Sequence, residues 1–396
     1  MEYVDPQEGF SGYLAFAGQG DRLAAGGLRV RSGLVADTVV ALAEAMSLKE
    51  RLLGLAVDGA KAGIDYDPES PNKREALRRF VRFLRPYLLT RLSLGPDLGT
   101  TWTEIEEVAH EEGMMSVKMA IAPAQGLSEL DFLQRMGVLS TPVNGFTLAQ
   151  RRAGHALAHA ALTAAVVAGC EVLRLRVALQ GFGSVGRGVL LALAEAGVSI
   201  CAVADEHACL FSDHGLDSRS LLSLPHGVAV SEGRSSGARL GPPEVVTELQ
   251  ADVLVLAACE DAITLDQASG LPVRVVAVGA NLGLAPLVEQ SLHSRGIVVV
   301  PDFVGGCGGS ASMDALFGAP LCPTPEWVLD HVAARMRELV TATLSISTAE
   351  SVTPRDAAMA LCEACPDLSG RKPYGYWKPV TTQLAGGTPS AMAERK

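Results

Sequence analysis

The stretch RLRVALQGFGSVGRGVLLALAEAGVSICAVAD, residues 174–205, decides the fold. Residues 174–180 read as an apolar strand, 185–197 (VGRGVLLALAEAG) as a helix and 198–205 (VSICAVAD) as a second strand. Between the first strand and the helix stands Gly181-Phe182-Gly183-Ser184-Val185-Gly186. In that context the glycine spacing predicts a dinucleotide site. The first glycine permits a tight turn, the second lets backbone N–H groups approach a pyrophosphate, and the third lets helix and strand pack closely. The diphosphate charge is expected at the helix N-terminus, where the dipole and free N–H groups favour anions. Asp205 ends the second strand, 19 residues after Gly186. A carboxylate there suits the hydroxyls of the adenosine ribose and repels a 2′-phosphate, and only His207 adds positive charge nearby, so NAD is expected rather than NADP.

Working outward, ADVLVLAA (251–258), VRVVAVGA (273–280) and GIVVVPDF (296–303) are short Val-rich runs bounded by turns or helices. Near-continuous apolar strands alternating with helices predict a parallel sheet covered on both faces. Upstream, the periodicity predicts helices over 36–53, 73–90, 103–113 and 147–169, the last leading into the nucleotide-binding part; DGAKAG at 58–63 reads as a Gly-bearing loop. A helix over 325–345 is expected to cross back onto the first domain, followed from about 366 by an irregular tail rich in Gly, Pro, Lys and Thr.

The bulk properties fit this picture. A chain of 396 residues with 48% apolar content suits two packed domains, and 41 glycines imply many tight turns and close backbone approaches. A net charge of -11 argues against nucleic acid as a partner. No apolar run approaches the length of a membrane span, and the first residues do not read as a secretion signal, so a cytoplasmic protein is expected. The eight cysteines are scattered. Cys362 and Cys365 form a C-x-x-C with no second pair, and His155 and His159 have no third ligand in sight, so no metal is expected. Cys307 in its glycine-rich turn reads as a small packed residue. The Arg151-Arg152 pair is expected to face solvent or a neighbouring subunit, and Arg74, Arg78, Arg79 and Arg82 to form a solvated helix face.

Three ionisable residues of the first part carry candidate chemistry. Lys49 ends the helix in MSLK, Lys61 sits in GAKAG, and Asp97 sits in Gly95-Pro96-Asp97-Leu98-Gly99-Thr100. A lysine among glycines and apolar residues is poised for burial, which lowers its pKa towards the range of a general base.

The sequence resembles the glutamate/leucine/phenylalanine/valine dehydrogenases over most of residues 10–320. The resemblance runs in one colinear order through Gly26-Gly27-Leu28-Arg29, Met46 to Lys49, GAKAG, PDLGT, Thr141-Pro142, GFGSVG, Gly279-Ala280-Asn281, and Pro301-Asp302-Phe303 followed by Gly308-Gly309. It implies an α/β protein with an N-terminal substrate domain built on a mixed sheet (1–145), a Rossmann-type doubly wound domain (146–322), a cleft between them, and a returning C-terminal helix plus tail (323–396). It further implies NAD-dependent oxidative deamination of an L-amino acid to the 2-oxo acid and ammonia, and a homo-oligomer. Carried over by position, Lys49 binds the substrate α-carboxylate, Lys61 polarises the carbonyl and activates water, Asp97 exchanges a proton with the amino nitrogen, and Asn281 joins the cofactor-binding residues.

The lysine that precedes Gly26-Gly27 in glutamate-specific relatives is here Ala25, which disfavours a buried side-chain carboxylate. Gly95 is smaller than the alanine of leucine-type enzymes. Both point to a bulky apolar or aromatic substrate. The family's Asn-Ala-Gly-Gly is replaced by Gly306-Cys307-Gly308-Gly309, the glutamate before Gly279 by Val278, and a junction threonine by Asn144. A specialised biosynthetic member with altered substrate or oxo-acid coupling activity, and a non-catalytic NAD-binding protein, stay open as alternatives.

Overall fold

The computed structural model describes residues 1–375 apart from Gln19 and Asp21. The first sheet holds β1 (Glu2–Val4), β2 (Ser11–Ala17), β3 (Ala24–Val30), β4 (Asp58–Ile64) and β5 (Leu92–Pro96) in the order β1-β2-β4-β3-β5. β2 runs antiparallel to β1 and β4, whereas β3 is parallel to both β4 and β5, so the sheet is mixed as expected. Strand alternation sorts its residues onto two faces. Ala24, Leu28, Ala60, Ala62, Leu92 and Leu94 are fully buried against α2 (Lys73–Leu88) and α3 (Trp102–Glu111), where Leu77, Phe80, Leu84, Ile105 and Val108 complete a core. The opposite face carries Ala25, Gly27, Arg29, Gly59, Lys61, Gly63, Ser93 and Gly95, and α1 (Ala36–Leu52) packs on part of it.

One expectation is corrected here. DGAKAG is not a loop but β4, buried throughout its length. Its glycines serve packing: a Cβ at Gly59 would stand 2.2 Å from the Ala43 carbonyl oxygen on α1, and one at Gly63 2.6 Å from Leu34 Cδ2. Glycine density signals a turn when read along the chain, but here it marks where a helix lies close against a strand.

After α4 (Ile121–Gln125), α5 (Glu129–Leu139) and a short ribbon of β6 (Pro142–Val143) and β7 (Phe146–Thr147), the chain enters α6 (Leu148–Val167), started by a Thr147–Gln150 capping box. The second sheet comprises β8 (Arg176–Gln180), β9 (Ser199–Ala204), β10 (Cys209–Phe211), β11 (Arg239–Gly241), β12 (Val253–Leu256), β13 (Val275–Val278) and β14 (Val298–Val300) in the order β11-β10-β9-β8-β12-β13-β14. Its five central and edge strands from β9 to β14 are parallel, and β10 and β11 add an antiparallel margin. Strand order reverses between β8 and β12, the place where open α/β sheets hold ligands at the strands' carboxyl ends.

Helices α7 (Ser184–Glu195), α8 (Ser218–Ser223), α9 (Leu265–Gly270) and α10 (Pro286–Ser294) serve this sheet. They are followed by α11 (Asp302–Gly305), α12 (Gly308–Gly318), α13 (Pro325–Glu350) and α14 (Pro354–Glu363). α13 runs five residues past the expected end at 345 and stops at Ser351, whose φ is 55°. Arg335 on α13 donates to the Leu53 carbonyl, and Arg51 on α1 donates to the Cys362 carbonyl on α14 at 2.9 Å. Residues 365–375 carry neither helix nor strand, and the tail from 376 lies outside the described residues.

Two charge expectations are also corrected. Arg151 and Arg152 are buried, not solvent-facing, the first paired with Glu195 at 2.5 Å and the second bonded to Ser312 Oγ at 2.8 Å. They flank a contact in which α6 and α7 meet backbone to backbone, since a Cβ at Gly154 would lie 2.3 Å from the Val185 carbonyl oxygen. Arg79 leaves the arginine face of α2 and is buried against Asp5 at 2.7 Å. Among the described residues no helix is long and apolar enough to cross a membrane and no His, Cys, Asp or Glu cluster could hold a metal; His155 and His159 are stacked edge to face at 4.5 Å in the core.

Candidate active site

The small-residue face of the first sheet forms the floor of a cleft. Gly27 on β3 and Gly95 on β5 are register partners, as are Ala25 and Ser93. Side chains at register partners of parallel strands point the same way, so all four share this floor. A Cβ at Gly27 would stand 3.0 Å from Asp97 Cβ and 3.1 Å from Lys61 Nζ. Gly26 is required for a different reason, because a Cβ there would strike the Ala60 carbonyl oxygen at 1.7 Å.

Over this floor Lys61 Nζ meets Asp97 Oδ2 at 2.7 Å, with the lysine side chain 2% exposed and the carboxylate 13%. Arg29 Nε reaches the same oxygen at 2.6 Å. The Asp97 loop is tied down by Thr100, whose hydroxyl donates to the Leu28 carbonyl at 2.8 Å and accepts from Asp97 N–H at 3.0 Å. Burial alone raises a carboxyl pKa, yet the Lys61 and Arg29 cations together hold Asp97 far below the usual carboxylate range. Lys61 shifts the other way. Burial pushes its amine down from the ordinary lysine value, and the Arg29 and Lys49 cations add to this against the pull of Asp97. Lys61 is therefore the readier proton acceptor, and Asp97 is its fixed counter-ion.

Lys49 comes from the last turn of α1. Its ammonium donates to Asn281 Oδ1 at 2.6 Å, linking the first domain to the loop after β13. Gly306 makes room for it: a Cβ there would sit 2.8 Å from Lys49 Nζ. Where the resemblance places an asparagine, Gly306 has no side chain, and the lysine amine and the Asp302 carbonyl oxygen crowd the position a Cβ would take. Asn281, expected among the cofactor-binding residues, has its side-chain oxygen on Lys49. A second link crosses the cleft from Arg29 to Glu260 after β12 at 2.5 Å, with Arg31 joining at 3.0 Å.

At the second sheet, Gly181 has φ 106°, and a Cβ there would lie 2.8 Å from Ala257 backbone. A Cβ at Gly186 would strike the Gly181 carbonyl oxygen at 1.9 Å. Gly183, by contrast, borders open space, with nothing within 4 Å of a Cβ built on it. It is also the N-cap of α7 and offers no capping side chain, so the first-turn N–H groups of Ser184, Val185 and Gly186 lack an intrahelical partner. An uncapped helix start under an open glycine fits a diphosphate. Phe182 is buried beside it, 5.0 Å from the Arg187 guanidinium.

Asp205, expected as the last residue of the strand, is the first residue after β9, and its carboxylate is engaged by its own loop. Oδ1 accepts from His207 N–H and Ala208 N–H at 2.9 Å each, and Oδ2 accepts from Val230 N–H at 2.7 Å. Three of the roughly four acceptor sites of a carboxylate are thereby occupied, leaving one for a ribose hydroxyl.

Sequence reasoning gave no role to Arg29, Glu260, Glu50 or Lys118. Glu50 is buried, its carboxyl pushed up to about 7 by burial despite the Ser310 hydroxyl at 2.5 Å. Lys118 is 4% exposed, and burial together with Arg152 brings its amine down to about 7. The signal for Lys118 was its isolation as the one charge in the apolar run MMSVKMAIAPAQ, 114–125. Cys307 is buried with its thiol pushed far up by burial, in keeping with a packed and unreactive residue.

Comparison with known proteins agrees with this arrangement. Residues 145–363 match the family described as Glutamate/Leucine/Phenylalanine/Valine dehydrogenase, and residues 5–113 match its Glu/Leu/Phe/Val dehydrogenase dimerisation domain. The glutamate dehydrogenase of Thermotoga maritima is 29% identical over 76% of this chain and 71% of its own length. The NADP-specific glutamate dehydrogenase of Saccharolobus shibatae is 29% identical over 72% of this chain, which spans 65% of that relative. The crystal structure of hetero-hexameric glutamate dehydrogenase from Thermus thermophilus in a Leu-bound form superposes with a TM-score of 0.73 at 28% identity, covering 90% of this chain and 84% of that one.

Proposed function

Because the chain belongs to the glutamate/leucine/phenylalanine/valine dehydrogenase family, we propose that it catalyses NAD-dependent oxidative deamination of an L-amino acid to the 2-oxo acid and ammonia, and the reverse reductive amination. The observation that carries this reading is the Lys61–Asp97 pair, 2.7 Å apart above a floor of small residues, with Arg29 and Lys49 beside it bonded to the loops after β12 and β13. Lys49 supplies a point charge for the α-carboxylate. A nicotinamide, when bound along Gly181–Gly186, supplies the hydride acceptor. The substrate amine must be neutral before its Cα gives up hydride, and the Lys61–Asp97 pair takes that proton. Once that proton has passed to solvent, neutral Lys61 removes a proton from water as hydroxide adds to the imine carbon and returns it to the nitrogen. Ammonia leaves while the new hydroxyl gives up its proton to Lys61, forming the 2-oxo acid. NAD is supported by the Asp205 carboxylate and by the lack of an arginine or lysine in the segment that follows it. A relative named NADP-specific makes cofactor choice the first thing to measure.

On the side-chain pocket two readings stand. Ala25 and the open Gly95 support a bulky apolar or aromatic substrate. A side chain ending in an anion is the second reading, and the buried Lys118 amine favours it. A homo-oligomer is part of the proposal, since the matched N-terminal segment is a dimerisation domain; the Thermus relative, a hetero-hexamer, supports assembly but not its composition.

Absorbance of the reduced cofactor at alkaline pH, with each of NAD and NADP and a panel of amino acids, tests the proposal. Turnover dependent on an amino acid supports it. Binding of NAD with no turnover of any amino or oxo acid would replace it with a sensing role.

A further inference from the structure

Lys118 follows α3 and sits at the floor of the cleft with no mechanistic task. Its Nζ lies 3.4 Å from Ser93 Oγ, long for a charge-assisted hydrogen bond, and 5.8 Å from the Trp102 ring centre. Among the described residues no carboxylate touches it, and the Glu106 and Glu50 carboxylates act on it only from beyond hydrogen-bond distance. A buried amine without a counter-ion is costly to keep. That cost has a use where a ligand brings the missing charge.

The placement is specific. Ser93, which the amine touches, is the register partner of Ala25, the position from which a side-chain cation is absent. Over Gly95 the nearest atoms to an added Cβ are the Gly26 carbonyl oxygen at 3.8 Å and Lys118 Nζ at 3.9 Å, so the space beside the amine is open. Gly95 and Gly27 are partners on adjacent strands about 4.8 Å apart, and Lys61 Nζ stands 3.1 Å from the corresponding point over Gly27. The two amines therefore border the same floor of small residues at a separation of at most about 12 Å. A five-carbon dicarboxylic amino acid, with a hydrogen bond of about 2.8 Å at each end, spans that gap. An apolar side chain in the same place would bury the amine further and give it no partner.

Resting on the dehydrogenase reading above, we infer that Lys118 reads the substrate side chain: its ammonium takes the second carboxylate of a dicarboxylic 2-amino acid whose amino-acid end lies at Lys49 and Lys61. The cation missing at Ala25 is thus supplied across the neighbouring strand.

Steady-state kcat/KM for glutamate, aspartate, leucine and phenylalanine, on the intact chain and on Lys118→Met and Lys118→Gln, tests this. Glutamate or aspartate is expected to lead in the intact chain. The ratio of its kcat/KM to that of leucine should fall about 100-fold or more in both variants, chiefly through KM. A preference for leucine or phenylalanine of roughly tenfold or more in the intact chain would overturn the assignment, as would an equal loss for all substrates in folded variants. Should nothing turn over, calorimetric binding of 2-oxoglutarate and of 4-methyl-2-oxopentanoate in the presence of NADH separates the two ideas. Selective loss of 2-oxoglutarate binding in the variants keeps Lys118 in this role and ends the dehydrogenase reading. Unchanged binding, or none in any form, removes Lys118 from it.

Discussion

The two faces of the first sheet are built from the same strands, one residue out of step, and they obey opposite rules. On one face Ala24, Leu28, Ala60, Ala62, Leu92 and Leu94 have no exposed surface and fill a core with α2 and α3. On the other, Ala25, Gly27, Ser93 and Gly95 offer almost no side chain, and Arg29, Lys61 and Asp97 concentrate charge. The difference shows how the fold supports the site: the apolar face fixes strand positions tightly enough that the bare face can hold buried charges at hydrogen-bond distance.

The largest effect should come from the charged face. Lys61→Ala is expected to lower kcat for deamination by about 10²–10⁴-fold without unfolding the protein, as read by steady-state rates beside circular dichroism. The pH profile sharpens this. Only the neutral amine accepts a proton, and burial lowers the Lys61 pKa from 10.5, so kcat/KM for deamination should rise with pH and level off below that value. A limb centred at or above the ordinary lysine value would contradict the placement of Lys61 as the base.

The apolar face should respond in the opposite currency. Leu94→Ala is expected to cost about 2–5 kcal/mol of stability in denaturant unfolding, while the folded fraction keeps its KM. If Leu94→Ala altered KM as strongly as stability, the division of labour between the faces would fail. Gly27→Ala adds one methyl group to the bare face, 3.1 Å from Lys61 Nζ, and should reduce kcat by about 10–100-fold with little change in melting temperature. Glu260→Gln should matter least. It removes one charge from the Arg29 bridge across the cleft and is expected to change kcat/KM by roughly threefold to tenfold, with the effect shrinking at high salt.

Much of this was legible from residue order. The strand, glycine turn and helix at 174–197 appear as read, because their periodicities change where the structure changes. Lys61 and Asp97 stand out in the sequence by their specific flanking residues, and the fold brings them to 2.7 Å. β4 was misread because DGAKAG has the composition of a turn, and only the alternation of Gly59, Lys61 and Gly63 against Ala60 and Ala62 betrays a strand with one bare face. Arg151 and Arg152 were misread because paired charges on a helix ordinarily face water. Their partners Glu195 and Ser312 lie 44 and 160 residues away. The same distance in sequence hid the Arg29–Glu260 contact, whose ends are 231 residues apart. No local pattern encodes such pairs. They are properties of how two sheets are brought together.

The Arg29 guanidinium is shared between a carboxylate of each sheet, Asp97 at 2.6 Å and Glu260 at 2.5 Å. Any motion that parts the sheets at this point frees Glu260 and leaves Asp97 the undivided attention of the cation, deepening its reluctance to accept a proton. The width of the crevice and the charge balance around the Lys61–Asp97 pair are in this way a single variable.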